Sequence, residues 1–327
     1  MTTSSRILRV FLTAMVVFIV SPAPAQNWPT KPVRIVSPFA PGGGSDTLAR
    51  VIADYLSERM GIQFFVENRS GAGGVIGSAA VAKAEPDGYT FVVSSIATHV
   101  IAPAAVADAG YDPLRDFAHV AFAGGPPTVV VVHPSLGVKS FKELVAFLKA
   151  NSAAFNYVSP GPGTLGNLMA EYWAEKEGIK LTHVSYRGAG QAMNDLIGGH
   201  VKIGSITYTA ARGQMRAGTA IPLAVSSSQR MPEFPDVQTL KELGYPELAI
   251  TTWFAFAAPA GIPEAIVQKM NEEIGNALDT PAVRKRLSDE GFEIEKMSPS
   301  ALTAFVHDQT TKWGPLAKKL MASERPQ

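Results

Sequence analysis

An α/β protein of two lobes, with the chain crossing twice between them, is the fold the sequence predicts, on three observations. Apolar strand-like segments alternate with helix-period segments through most of the 327 residues, the pattern of βα units built into parallel sheets. Two glycine-rich turns, Pro38-Phe39-Ala40-Pro41-Gly42-Gly43-Gly44-Ser45-Asp46 and Tyr157-Val158-Ser159-Pro160-Gly161-Pro162-Gly163-Thr164, each join such a strand to such a helix. Proline and glycine punctuation at Gly124-Gly125-Pro126-Pro127 and around Gly244-Tyr245-Pro246 brackets a middle block and marks the two crossings.

At the N-terminus, Arg6 and Arg9 precede the apolar run 10–20, and Ala23-Pro24-Ala25 fits the small-x-small cleavage rule. Residues 1–25 therefore read as an export signal, with an apolar core too short to span a bilayer comfortably. Removing it takes the 29 basic residues to 27 against 28 acidic ones, a net charge of −1. Dispersed, near-neutral charge excludes nucleic acid and anionic membrane as partners. The chain has no cysteine, which excludes disulfides, thiolate metal sites and a lipid anchor on cysteine. The remaining length suits two domains, expected as residues 26–126 plus 248–327 in lobe 1 and 127–247 in lobe 2.

Strands are expected at 33–36, 89–95, 129–133, 155–159, 181–186, 201–205 and 223–227. Leu48, Ile52, Tyr55 and Leu56 recur at helical spacing after the first glycine turn, and Leu168, Tyr172 and Trp173 after the second. Ser140 with Glu143 forms a capping box, while Thr280-Pro281 and Ser298-Pro299 each put a capping residue before a proline at the first helical position. Beyond Pro259 the chain reads as mostly helical, with Ile266, Met270, Ile274 and Leu278 in one apolar stripe. The cleft between the lobes, facing the carboxyl ends of the strands, is where open α/β sheets bind ligands.

Glycine permits positive φ and close approach, and the first turn of a helix leaves N–H groups unpaired with partial positive charge. Two such helix starts facing each other hold a carboxylate without any lysine. The candidate ligand-binding residues are Phe39, Ala40, Gly43, Gly44, Ser45 and Asp46 in the first turn and Ser159, Gly161, Gly163 and Thr164 in the second. Ser94 and Thr98 join them from a third strand end, Gly188 and Ala189 from a fourth. A plain chain reversal is the competing account of the glycines, and a helix cap that of Asp46. Arg187 either pairs with a carboxylate or is solvated, and Trp253 and Phe254 are either core or ligand contacts.

Nucleotide binding is disfavoured, because neither turn has G-x-x-x-x-G-K-[ST] or G-x-G-x-x-G spacing. Gly71-Ala72-Gly73-Gly74-Val75-Ile76-Gly77 comes closer, yet its lead-in Glu67-Asn68-Arg69-Ser70 is polar, so it reads as a loop entering a helix. The six histidines show no H-E-x-x-H or comparable ligand spacing, no G-x-S-x-G elbow occurs, and Asp46 with Asp195 is a poor acid/base pair. No catalytic residue, metal or cofactor is expected.

As a set, several stretches resemble the Bug family, the periplasmic solute receptors of tripartite tricarboxylate transporters. They are Trp28-Pro29-Thr30-Lys31-Pro32-Val33-Arg34, the two glycine turns, residues 66–74, Pro86-Asp87-Gly88-Tyr89-Thr90, Tyr186-Arg187-Gly188-Ala189-Gly190, and residues 253–261. The resemblance implies a type II periplasmic-binding-protein fold of the Venus-flytrap kind, with discontinuous domains closing on a small organic carboxylate. It implies a periplasmic location, a monomer, and transporter subunits in the membrane as partners; a ligand sensor for a signalling receptor and an exported enzyme are the alternatives. Lys202 stands where many relatives carry an acid, and Ala102 where many carry asparagine, differences that bear on ligand choice.

The export reading predicts cleavage after Ala25, checked by N-terminal sequencing of the product; a product retaining Met1 overturns it.

Overall fold

The structure is a computed structural model that describes residues 28–106, 108–151 and 155–321; the export-signal segment 1–25 lies outside the described residues. In chain order the elements are β1 (Val33–Ser37), α1 (Gly44–Met60), β2 (Phe64–Asn68), α2 (Val75–Ala82), β3 (Thr90–Ser95), α3 (Ala102–Ala105), β4 (Phe117–Gly124), β5 (Thr128–Val132), α4 (Phe141–Ala150), β6 (Phe155–Ser159), α5 (Leu165–Glu177) and β7 (Leu181–Ser185). There follow α6 (Ala189–Ile197), β8 (Ile203–Thr207), α7 (Tyr208–Arg216), β9 (Ile221–Val225), β10 (Phe254–Pro259), α8 (Glu264–Asp279), α9 (Pro281–Asp289) and α10 (Pro299–Leu320). They form two five-stranded sheets, in the orders β2-β1-β3-β10-β4 and β7-β6-β8-β5-β9. Each sheet is the centre of one lobe.

The sheets are mixed where parallel ones were expected. β1 pairs in parallel with β2 and β3, but β10 runs antiparallel to both β3 and β4. In the second sheet β6 is parallel to β7 and β8, whereas β5 is antiparallel to β8 and β9. The reversed strands are the two that directly follow a crossing. The chain leaves one sheet at its cleft edge and enters the other by that same edge, so it runs against the strands delivered by βα crossovers. β2, β4 and β10 were not foreseen. β10 (Phe-Ala-Phe-Ala-Ala-Pro) is buried along its whole length and lacks the β-branched signature of a central strand.

Apolar periodicity accounts for the cores. Leu48, Ile52 and Leu56 of α1 and Ile266, Met270, Ile274 and Leu278 of α8 bury against Val33, Ile35, Phe91 and Phe256 of the first sheet. A second cluster runs between the lobes, joining Ile96, Ile101 and Phe122 to Leu165, Leu168 and Trp173 of α5 and to Val306, Trp313 and Leu320 of α10. Lys319 of α10 reaches Glu175 of α5 at 2.7 Å. Ser140 and Ser298 cap α4 and α10 as read, accepting from Glu143 N–H and Ala301 N–H at 3.2 Å each. The Thr280 hydroxyl instead donates back to the Asn276 carbonyl at 3.0 Å, so it does not cap α9.

The two crossings lie side by side. Thr252 N–H donates to the Pro126 carbonyl (3.0 Å), and the hydroxyls of Thr128 and Thr252 are 3.1 Å apart. A β-carbon at Gly125 would lie 1.9 Å from the Thr252 carbonyl oxygen, so only glycine fits there. No helix among the described residues is long and apolar enough to cross a membrane.

A pair of buried histidines flanks the first sheet. His99 and His119 meet edge to face with ring centroids 5.7 Å apart, beside Phe117 and Tyr111. Burial lowers His119 to about 4 and His99 well below its ordinary value, where the neighbouring His119 adds to the effect. Because the folded-state values are depressed, protonation favours the unfolded chain, and stability is lost as pH falls below about 6.5. For His119 this amounts to roughly 2 kcal/mol at pH 5. Urea unfolding of His119→Phe is expected to show a shallower loss of stability between pH 6.5 and 4.5 than the parent, whatever offset the larger ring adds at pH 7; identical slopes overturn the assignment.

Candidate functional site

Strand ends from both lobes meet at one small cavity of about 40 Å³, partly open to solvent. The first lobe contributes Phe39 and Gly43 from the β1–α1 turn, Gly44 and Ser45 at the start of α1, Ser95 at the end of β3, Ala97 just beyond it, and Phe254 at the start of β10. The second contributes Pro160, Thr164, Leu165 and Gly166 from the β6–α5 turn, Ala189 at the start of α6, and Thr207 at the end of β8; Thr128 and Thr252 close the floor at the crossings.

Three helices begin in this wall. Their first intrahelical bonds run from Thr47 N–H to the Gly43 carbonyl, from Leu168 N–H to Thr164, and from Ala192 N–H to Gly188. The N–H groups of Gly44, Ser45, Leu165, Gly166 and Ala189 therefore have no intrahelical acceptor, and each helix start adds partial positive charge. Small residues let these amides approach the cavity. A β-carbon at Gly44 would meet the Phe254 ring at 2.8 Å, and one at Gly166 the Ser205 carbonyl oxygen at 2.2 Å.

The rest of the wall is hydroxyl and hydrocarbon, with no Asp, Glu, His, Lys or Arg among the described residues. Ser45 Oγ lies 3.0 Å from Ser37 Oγ, and the Thr164 hydroxyl donates to the Gly161 carbonyl at 2.7 Å. Thr207 is 7% exposed, and its hydroxyl has no hydrogen-bond partner among the described residues. Among the described residues there is no cluster of three or more His, Cys, Asp or Glu that could hold a metal ion.

Of the residues singled out from the sequence, Phe39, Gly43, Gly44, Ser45, Thr164 and Ala189 lie in the cavity wall. Ala40 and Gly188 lie where the lobes touch: Ala40 N–H donates to the Arg187 carbonyl (2.9 Å), and a β-carbon at Gly188 would stand 3.1 Å from that of Ala40. Ser159, Gly161 and Gly163 already have partners in the protein. Gly161 N–H donates to Ser159 Oγ (3.2 Å), Gly163 N–H donates to Asn167 Oδ1 (2.9 Å), and Ser159 Oγ is 2.8 Å from His183 Nε2. Thr98 Oγ1 accepts from Ser95 N–H (3.1 Å), and Ser94 Oγ is buried without a partner among the described residues.

Asp46 stands behind the first turn and organises it. Its carboxylate accepts from Gly42 N–H (3.3 Å) and the Asn68 amide (2.8 Å) and pairs with Arg50 at 2.9 Å. Burial raises its pKa, but the hydrogen bonds from Arg50, Asn68 and Gly42, together with the Arg50 charge, more than offset this and keep it below the usual value. Asp195 accepts from the Tyr186 hydroxyl. Arg187 is exposed. Trp253 is core, packed on Phe122 and Phe305, whereas Phe254 is in the wall.

Thr207, Thr128 and Thr252 were missed because nothing distinguishes a threonine at a strand end or a crossing from any other. Reading β8 two residues further, to Thr207, is the signal that places one of them at the cleft.

A family model, the tripartite tricarboxylate transporter family receptor, matches residues 48–321. Protein BugT of Bordetella pertussis is 34% identical over 306 residues, spanning 92% of this chain and 93% of its own length. The solved periplasmic binding protein BugD is 32% identical, covers 90% of this chain and 98% of its own, and has a TM-score of 0.86. Rpa4515 of R. palustris, solved with adipate, matches with the same identity, coverage and TM-score.

A buried hydroxyl without a partner is a liability to the fold, and valine keeps threonine's shape. Thr207→Val is therefore expected to leave stability unchanged or raise it by up to about 1 kcal/mol in urea unfolding; a clear loss means that the hydroxyl is satisfied in the folded protein.

Proposed function

We propose that this chain, which belongs to the tripartite tricarboxylate transporter receptor family, is an extracytoplasmic solute receptor whose lobes close on a small organic dicarboxylate. The observation that carries the reading is the convergence of three helix starts, α1 from one lobe and α5 and α6 from the other, on one cavity that no charged side chain lines among the described residues. A carboxylate there is met by amide N–H groups and helix partial charges, with no fixed cation to neutralise it. Each charge-assisted hydrogen bond contributes about 1.5–3 kcal/mol. Phe39, Leu165 and Phe254 give the cavity apolar sides that favour a hydrocarbon spacer. The adipate held by the R. palustris relative is such a diacid.

In this reading residues 26–126 with 248–327 form one lobe and 127–247 the other, and the ligand touches both only when they are closed. Its affinity difference between the open and closed forms drives closure. The wall holds hydroxyl, amide and hydrocarbon groups and nothing that transfers protons near neutral pH, which supports capture without turnover. The closed receptor, exported to the periplasm, delivers its cargo to transporter subunits in the membrane.

The test is calorimetry on protein refolded from denaturant to strip any bound acid, with adipate, shorter dicarboxylates, hexanoate and the neutral diamide of adipate. One or more dicarboxylates are expected to bind, at least about tenfold tighter than hexanoate, with the diamide inert. Thr207→Val is expected to weaken the tightest of them about fivefold or more despite its unimpaired stability. Equal binding of the diamide, or no binding by any diacid, overturns the reading.

A further inference from the structure

At the mouth of the cleft the backbone of one lobe meets the backbone of the other, and glycines occupy the contacts. A β-carbon at Gly42 would lie 3.8 Å from the Gly190 α-carbon, and one at Gly43 would lie 3.7 Å from the Ala189 β-carbon. Both are ordinary van der Waals separations. At Gly73 the situation differs: a β-carbon would stand 1.9 Å from the Pro162 carbonyl oxygen of the opposite lobe. The obstacle is main chain, which no rotamer change removes. The facing residue is again a glycine, since a β-carbon at Gly161 would be 3.5 Å from the Gly73 α-carbon.

Gly73 stands outside the cavity wall. It belongs to the 71–74 loop that superficially resembles a nucleotide turn, and the backbone of that loop is held in an unusual shape. Gly71, Gly73 and Gly74 all have positive φ, and Ala72 between them sits at φ +47, a strained value for a residue with a side chain. This shape seats the loop against the second glycine turn.

We propose that Gly73 is the closure gate of the receptor: lacking a side chain, it lets the 71–74 loop seat on Pro162, and it thereby sets ligand affinity and release without touching the ligand. The proposal rests on the receptor reading above. A side chain here leaves both ligand-facing turns intact but lowers the closed fraction, and apparent affinity falls in proportion to that fraction.

Closure can be read without any ligand. The chain has no cysteine, and the 3.7 Å between the Gly43 and Ala189 β-carbon positions falls within the roughly 3.5–4.5 Å that a disulfide spans. The double variant Gly43→Cys/Ala189→Cys therefore traps the closed form in a glutathione redox buffer. Adding Gly73→Ala to that pair is expected to slow trapping about tenfold, and in the cysteine-free protein Gly73→Ala is expected to weaken adipate binding by a similar factor. The control is Gly61→Ala, which imposes the same left-handed strain (φ +67) where an added β-carbon would meet none of the described residues beyond its chain neighbours within 4 Å, and so changes stability but not trapping. If Gly73→Ala does not fold, Gly73→Asn against Gly61→Asn serves, since asparagine tolerates that backbone region. Trapping at the rate of the Gly61 control overturns the gate. Should the parent fail to bind adipate, it is the ligand assignment that falls, and the ligand-free trapping comparison still decides the gate.

Discussion

Amide groups at the starts of α1, α5 and α6 find no acceptor within their own helices, and much of the architecture follows from aiming them at one place. Each of the three helices follows a strand whose carboxyl end reaches the cleft, so both sheets must present that edge to each other. Glycine at 44 and 166 is then a steric necessity, because Phe254 and the Ser205 carbonyl lie where a β-carbon would go. The same facing of edges dictates that β5 and β10, which enter their sheets from the cleft side, run against their neighbours. Asp46 belongs to this arrangement as well. Its carboxylate, held by Arg50, Asn68 and Gly42 N–H, braces the first turn from behind and leaves the cavity face to neutral groups.

The lobes are joined by more than the two crossings. The apolar cluster from Ile96 and Phe122 through Leu165 and Trp173 to Trp313 and Leu320 forms a continuous floor behind the cleft, and α10 lies along it. Burial on this scale favours a fixed relation between the lobes at the back, while contact at the front depends on backbone surfaces stripped of side chains. Polar atoms are placed accordingly. Those in the β6–α5 turn are bonded among Ser159, Gly161, Gly163, Thr164 and Asn167, which keeps the turn rigid, and the Thr207 hydroxyl is left in the wall without a partner among the described residues.

Local chemistry made much of this legible in advance. The glycine turns, the helices after them, the stripe Ile266, Met270, Ile274 and Leu278, and the caps at Ser140 and Ser298 all follow from spacing and from residues a few positions apart. β10 escaped notice because its Phe-Ala alternation is shaped by neighbours on both sides, β3 and β4, that are distant in sequence. The Thr280 hydroxyl misled for a related reason: it has two acceptable local partners and took the carbonyl of the preceding helix. Among site residues, the turns were readable because glycine has few other reasons to cluster, while Thr128, Thr207 and Thr252 look like any threonines until two crossings and a strand end are brought together.

By itself, then, the sequence determined the α/β class, the helix starts and the turns that open them, because these depend on φ/ψ preference, capping and apolar period within short windows. Tertiary structure alone decided which strands are reversed, which hydroxyls line the cavity, and that Gly73 meets Pro162 across the cleft. Those outcomes depend on two lobes being placed against each other, and contacts between residues far apart in the chain leave no periodic or compositional trace in either partner.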